Sequence, residues 1–409
     1  MAKQLPSLED LHAARQRLAD VIYLSPCAYS ETISQLTGSR TLFKLENLQM
    51  TGSFKERGAA NKLMMLTTEE RERGVVAASA GNHGLAVAFH AKRLGISATI
   101  VMPEWAPLIK VASARRDGAR VILAGGDYDE AAQEAQQICR DRNAVFIHPF
   151  DDPQVIAGQS TLGLELLEQQ PDIDAVIVPV GGGGLISGVA MALKEAAPNI
   201  RVVGVQAENV AAMKASLDAG RIETLPSRST IADGIAVRQV GQLTFPLVQR
   251  YVDELVTVSE EEIANALLLL LEIEKTVAEG AGATPLAALL NRDLALRGKR
   301  VALIISGGNI DVNIISRIIE KGLVKDGRRV RLLVLLQDRP GALARLTSLV
   351  AAERANILEI EHHRAFATAE IGETEVELTL ETSGREQINQ IIEMFLKNGY
   401  KVRQVHPAP

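Results

Sequence analysis

Aromatic side chains are scarce in this sequence, at 3% of 409 residues with a single tryptophan. That scarcity argues against single-stranded nucleic-acid binding, which relies on aromatic platforms for stacked bases. There is no basic excess either: the formal net charge is -6, and no dense lysine–arginine patch offers a footprint for a nucleic acid. Only two cysteines occur, Cys27 and Cys139, far apart and outside any C-x-x-C pattern. This excludes a disulfide framework and a cysteine-bound zinc, and leaves reduced thiols in a cytoplasmic protein as the expectation. Long apolar runs are missing too. The most apolar stretch, ANALLLLL at 264–271, is too short to span a bilayer and reads as a buried helix. The charged N-terminus lacks the apolar core of a signal peptide, so no membrane association is expected. Metal-ligand clusters are also lacking. His362 and His363 are adjacent on an expected strand and point to opposite faces, so no metal site is expected.

What is there is a globular composition, 47% hydrophobic and 23% charged, in a chain long enough for two or three domains. Between about 40 and 320, short β-rich runs alternate with longer helical ones. Strands are expected at 41–46, 75–79, 98–103, 120–125, 144–149, 175–180, 201–207, 255–259 and 301–306. Helices are expected at 83–94, 128–141 and 185–196, among others. Several strands are unbroken apolar runs, as in a parallel sheet covered on both faces. The pattern predicts a doubly wound α/β region with two lobes and a cleft. After the charged stretch 321–329 the order becomes strand, helix, strand, strand, helix, strand within about eighty residues. That is the ferredoxin-like α+β order. The expected division is a main domain at 1–322, a linker at 323–329 and a second domain at 330–409.

The chemistry-bearing residues fall at strand ends. Gly181, Gly182, Gly183 and Gly184 follow a buried strand and precede a helix. Four bare peptide units at a helix start suit a phosphate. No Gly-Lys-Ser/Thr follows, which excludes a Walker loop. Gly182, Gly184 and Gly188, with Glu208 closing the next strand, leave a dinucleotide site open as the rival reading. Lys55, in TGSFKERG, opens a helix, where the positive end of the dipole disfavours an ammonium. The loops SAGNHG at 79–84 and SGGN at 306–309 end two further buried strands. In open α/β sheets ligands bind along that edge. An amine made reactive by burial beside a phosphate cradle suggests pyridoxal phosphate.

With TGSFKERGA, ASAGNHG, PVGGGGL, AEGAGA at 278–283 and SGGN in this order and spacing, the chain resembles the fold-type II pyridoxal-phosphate enzymes. Within them it is similar to the threonine and serine dehydratases, of the tryptophan synthase β-like fold, over roughly 5–320. Residues 330–409, with Asp338, Arg339, Pro340, Gly341, Ala342 and Leu343, resemble an ACT-type regulatory domain. The resemblance implies that Lys55 holds the cofactor covalently and then shuttles the Cα proton. Phe54 packs near the ring, and Asn82 hydrogen-bonds its phenolic oxygen. Backbone N–H groups of Ser79, Ala80, Gly81, Asn82, His83 and Gly84 receive the substrate carboxylate. The four glycines and Leu185 bind the phosphate. Ser306 faces the pyridine nitrogen, where a neutral hydroxyl makes the ring a weaker electron sink than a carboxylate would. Glu279 is placed either near the cofactor or in a capping role, and the loop 338–343 either lines an amino-acid effector site or starts the next helix.

The expected activity is the conversion of L-threonine to 2-oxobutanoate and ammonia, with L-serine as a further substrate. It would be carried out by a cytoplasmic homotetramer of isoleucine biosynthesis, under allosteric control by an amino acid. Two features depart from the family pattern. Ser160 stands where glycine is frequent, and Gln206 stands where related racemases carry a metal-binding carboxylate. A serine racemase and a 3-hydroxyaspartate dehydratase share every loop named here and remain alternatives. A nicotinamide-dependent oxidoreductase and a non-catalytic amino-acid sensor are more distant ones.

Overall fold

The computed structural model describes residues 5–363 and 370–405. The chain forms two compact units, the first ending at Ile310 and the second beginning at Asp311. That division lies ahead of the segment 323–329 expected as a linker, because the amphipathic helix Val312–Lys325 groups with the second unit.

The first unit holds two sheets. Its strands are β1 (Cys27–Tyr29), β2 (Arg40–Leu45), β3 (Val75–Ala78), β4 (Ala98–Met102), β5 (Arg120–Leu123), β6 (Val145–Phe146), β7 (Ala175–Pro179), β8 (Arg201–Ala207), β9 (Glu254–Val258) and β10 (Arg300–Ile305). The larger sheet runs β1-β2-β10-β7-β8-β9 and the smaller β5-β4-β3-β6. Every pairing is parallel except that of β1 with β2. The strands β3, β4 and β7 are buried along their whole length, which is why their sequences show no polar alternation. In the small lobe, Val75, Ala77, Ile100 and Met102 pack into one core, while Val76, Ala78 and Val101 pack into another with Ala131, Ala135 and Ile138. Successive residues thus serve opposite faces, as period-two geometry requires. The run 264–271 lies in the helix Glu260–Glu272, with Leu267, Leu268 and Leu270 buried. No described helix is long and apolar enough to cross a membrane.

Strands β2 and β10 lie in step, from Arg300 opposite Arg40 to Ile305 opposite Leu45, so they end side by side. The chain leaving β2 comes back to the end of β10. The Phe54 N–H donates to the Ser306 carbonyl at 3.0 Å, and the Gly308 N–H donates to the Gly52 carbonyl at 2.9 Å. Ser53 bridges Gly307 between them. These bonds set the start of the helix Lys55–Met64 at the carboxyl edge of the sheet. Beneath that start, Arg57 is wholly buried and bidentate to both Glu46 and Glu165, each contact at 2.8 Å. Lys44 joins from β2, with Nζ 3.0 Å from Glu165. Two cations facing two carboxylates satisfy one another, the condition under which buried charge is tolerated.

The second unit adds β11 (Arg329–Gln337), β12 (Asn356–His363), β13 (Glu373–Glu381) and β14 (Lys401–Val405), in the order β12-β13-β11-β14 and antiparallel throughout. Val330, Leu332, Val334 and Leu336 alternate onto one face, where Leu346, Val350, Ile388, Ile391 and Phe395 from the helices Ala342–Ala352 and Arg385–Lys397 cover them. This is the ferredoxin-like arrangement.

Candidate active site

Four helices start at the carboxyl edge of the two sheets: Lys55–Met64, Asn82–Arg93, Gly184–Ala196 and Gly280–Asn291. Their N-cap residues are Phe54, Gly81, Gly183 and Glu279, and no side chain caps any of them. By contrast, the helices Leu8–Leu18, Tyr128–Arg142, Pro153–Gln169 and Glu260–Glu272 start with Ser7, Asp127, Asp152 and Ser259 accepting from their first turns. An uncapped first turn keeps its N–H groups available to an anion.

Lys55 is the first residue of its helix and half-buried. Its Nζ donates to the Pro149 carbonyl at 2.9 Å and lies 5.2 Å from the centre of the Phe54 ring. Burial pushes the amine down to about 8, and the Glu279 charge only partly opposes that. An appreciable fraction of free amine therefore exists near neutrality, as a nucleophile or proton acceptor requires.

The glycine run is shaped by Phe150, next to the carbonyl that holds Lys55. A Cβ on Gly182 would lie 2.5 Å from the Phe150 ring, and one on Gly184 would lie 2.8 Å from the Phe150 Cβ. Gly183 takes φ +97°, in the left-handed region. A Cβ on Gly181 would come within 3.0 Å of Ile235. The Gly182 carbonyl accepts from Thr244 Oγ1 at 2.6 Å, so its oxygen is engaged away from the cradle's N–H groups. Leu185 is buried in the first turn. These residues fit pyridoxal phosphate: a cradle without Cβ atoms stands at an uncapped helix start, and an amine of lowered basicity hangs from the neighbouring segment.

In the loop after β3, the Gly81 N–H donates to Ser79 Oγ at 3.1 Å, and a Cβ on Gly84 would meet the Ser79 carbonyl at 2.7 Å. Ala80 is half-buried beside them. The His83 ring turns away from the loop and donates from Nε2 to the Ile147 carbonyl at 2.8 Å. Burial, with the nearby Lys55 charge, lowers His83 to about 3, so the ring is neutral and orders the backbone. Asn82 Nδ2 donates to both oxygens of Glu279, at 2.9 and 2.8 Å. Glu279 is 3% exposed, and its own N–H donates to the Gly307 carbonyl at 2.9 Å. Burial, reinforced by Asp233, raises this carboxyl to about 7 against the pull of Asn82, Lys110 and Lys55. Ser306 is buried just beyond the end of β10, next to Gly307. Sequence reasoning gives Glu279 only an undecided place. It passes over Pro149, Phe150, Asp233 and Thr244, which no local pattern marks because each acts from a distant part of the chain.

The departures are absorbed without strain. Ser160 donates from Oγ to the Ala157 carbonyl at 2.6 Å, inside its own helix. Gln206 donates to the Val180 carbonyl at 3.1 Å and accepts from the Lys214 N–H at 2.9 Å, so both ends of its amide are engaged. Glu208, the acid that a dinucleotide site would need, lies 3.5 Å from Arg292 as an ion pair. In the second unit, Asp338, Arg339 and Pro340 form a turn, with the Asp338 N–H donating to Gly372 and the Arg339 N–H to Gln337, both at 2.9 Å. Gly341, at φ +83°, precedes the helix that Ala342 and Leu343 begin. Pro340 therefore stands ahead of the helix and not in its first turn.

Comparison with known proteins agrees along the whole chain. A family model described as pyridoxal-phosphate dependent enzyme matches residues 18–307, and one described as ACT domain matches residues 330–393. The L-threonine ammonia-lyase of Thermotoga maritima is 53% identical over 98% of this chain and 99% of its own length. The crystal structure of a T.th. threonine deaminase superposes with TM-score 0.71 and 44% identity, covering 75% of this chain and 99% of that one. Maize serine racemase superposes with TM-score 0.74 and 37% identity, covering 79% and 99%.

Proposed function

The chain belongs to the pyridoxal-phosphate-dependent enzyme family and carries an ACT domain, and from that premise we propose that it is an L-threonine ammonia-lyase. It converts L-threonine to 2-oxobutanoate and ammonia, and L-serine to pyruvate and ammonia. The observation that carries this reading is the likeness to a threonine ammonia-lyase over the full length of both chains, second domain included.

When bound, pyridoxal phosphate supplies an aldehyde that captures the substrate amine and a ring that draws electrons from Cα. The protein's own groups do the rest. Lys55 holds the aldehyde and, as a free amine, takes the Cα proton onto Nζ. The N–H groups of Gly181 to Gly184 and Leu185 hold the phosphate. The loop of Ser79, Ala80, Gly81, Asn82, His83 and Gly84 receives the substrate carboxylate through its backbone. Asn82 would meet the ring oxygen, Phe54 would pack by the ring, and Ser306 would offer the ring nitrogen a neutral hydroxyl. Loss of the Cα proton and of the β-hydroxyl as water leaves an enamine, which hydrolyses to the oxo acid and ammonia.

The loop of Asp338, Arg339, Pro340, Gly341, Ala342 and Leu343 takes an amino-acid effector, and a homotetramer couples it to the catalytic units. The chain works in the cytoplasm, in isoleucine biosynthesis, and isoleucine or valine are effectors of fitting chemistry. The purified full-length protein tests the reading directly. It should be yellow, lose its visible band on borohydride reduction and release 2-oxobutanoate from L-threonine. A colourless protein that turns over no hydroxyamino acid would overturn it. A rate indifferent to every branched-chain amino acid would remove the regulatory part alone.

A further inference from the structure

We infer that Glu279 and Asn82 form a proton-controlled amide switch. The ionised carboxylate keeps the Asn82 amide nitrogen turned toward itself, and protonation lets the amide turn over and offer that nitrogen to the bound cofactor. This rests on the function proposed above, in which Asn82 faces the ring oxygen of pyridoxal phosphate, and it makes Glu279 a positioning residue.

The geometry is that of two groups with no other place to go. Asn82 is 9% exposed, its Nδ2 is committed to both Glu279 oxygens, and its Oδ1 is buried without a partner. Glu279 is fixed from its backbone by Gly307. Its Oε1 lies where a Cβ on Gly307 or on Gly234 would stand, 2.6 and 2.9 Å away, so two bare glycines wall it in. An amide presents two donors at one end and acceptors at the other, and an ionised carboxylate accepts only. While Glu279 is charged, the nitrogen must therefore face it, and the oxygen points away unpaired. A protonated carboxyl carries an O–H, which is the partner Oδ1 lacks. The amide then gains by turning over, and its nitrogen faces the site.

The groups that set the proton's affinity come from every side. Asp233, on the turn Asp233–Ile235, repels the carboxylate. Lys110, from the helix Leu108–Arg116, and Lys55 stabilise it. His83, next to Asn82, is neutral. Burial outweighs the cations and leaves the carboxyl near 7, where it can change state under ordinary conditions. A ring oxygen that accepts a hydrogen bond favours the turned amide, so the bound cofactor and the proton on Glu279 support each other.

The test is a pH titration of the visible absorption band of the full-length holoenzyme, from about pH 5.5 to about 8.5. The wild type should show a spectral step with its midpoint above the cofactor-free value of about 7, because the bound ring oxygen favours the protonated carboxyl. In Glu279→Gln a permanent N–H serves Oδ1 at every pH, so the step should vanish and the spectrum should match that of the wild type at low pH. In Asn82→Ala the carboxyl still titrates but nothing turns, so the step should vanish there too; this variant decides the matter if the glutamine variant does not fold. A flat wild-type titration, or a step of unchanged midpoint in either variant, overturns the switch. A preparation without a visible band removes the cofactor reading, and the switch with it.

Discussion

Lys55 and Arg57 stand on the same turn of one helix, one facing the cleft and the other the core, and their surroundings treat a cation in opposite ways. Burial works against the charge of both. At Arg57 the carboxylates of Glu46 and Glu165 more than offset it and hold the guanidinium above its ordinary range. At Lys55 the direct hydrogen bond is to a neutral carbonyl, the one nearby acid is itself raised, and the amine falls to about 8. The difference follows the carboxylates supplied: the more deeply buried cation is the one that keeps its charge. The protein surrounds one cation with carboxylates and leaves the other a single neutral acceptor, as the function proposed for Lys55 requires.

Removing the amine itself is the largest perturbation. Lys55→Ala should lower 2-oxobutanoate formation by about four orders of magnitude, read by keto-acid detection. Stability separates the two regions more sharply. Arg57→Met leaves buried Glu46 without its ion pair and Glu165 with Lys44 alone, and should lower the unfolding free energy by about 3–5 kcal/mol in chemical denaturation, whereas Lys55→Met should leave it unchanged or raise it. Gly182→Ala forces a methyl group against Phe150 and should cost about 1–3 kcal/mol of stability, with part recovered by Phe150→Leu. In cofactor-free protein, aldehyde capture by Lys55 should rise with pH through a midpoint near 8, since the free amine is the reactive form and predominates above that value. Because the Glu279 charge raises Lys55, Glu279→Gln should move the midpoint lower, as mass spectrometry of borohydride-trapped adducts would show. Asp129→Asn, which breaks an exposed pair with Arg238 at 2.5 Å, should change stability by less than about 1 kcal/mol.

The parts of this comparison are unequally legible in the sequence. Unbroken Val and Ile runs announce β4, β7 and β10, because a strand covered on both faces has no polar alternation to confuse the reading. β1 escapes notice: three residues paired antiparallel at a sheet edge carry too short a pattern. The run 144–149 reads as a full strand, yet only Val145–Phe146 pairs, since the His148 ring accepts the backbone N–H groups of Phe150 and Asp151 and bends the chain into a turn. That bend carries Pro149 and Phe150 into the site. Lys55 and the glycine run are visible as local motifs. Glu279 is not assignable from sequence, because its meaning depends on Asn82, 197 positions earlier. Arg57 is visible only as a letter in TGSFKERG, because its partners Glu46 and Glu165 lie in separate elements.

The segment of Pro149 and Phe150 acts as a ruler. One residue accepts a hydrogen bond from the Lys55 amine and the next presses on the glycines, so these two features are tied to neighbouring positions of the chain. On the function proposed, a cofactor analogue lengthened by a single methylene between ring and phosphate should bind more weakly, since it would have to lift off one end to reach the other. Any substitution that slides this segment disturbs the Lys55 hydrogen bond and the glycine packing at once.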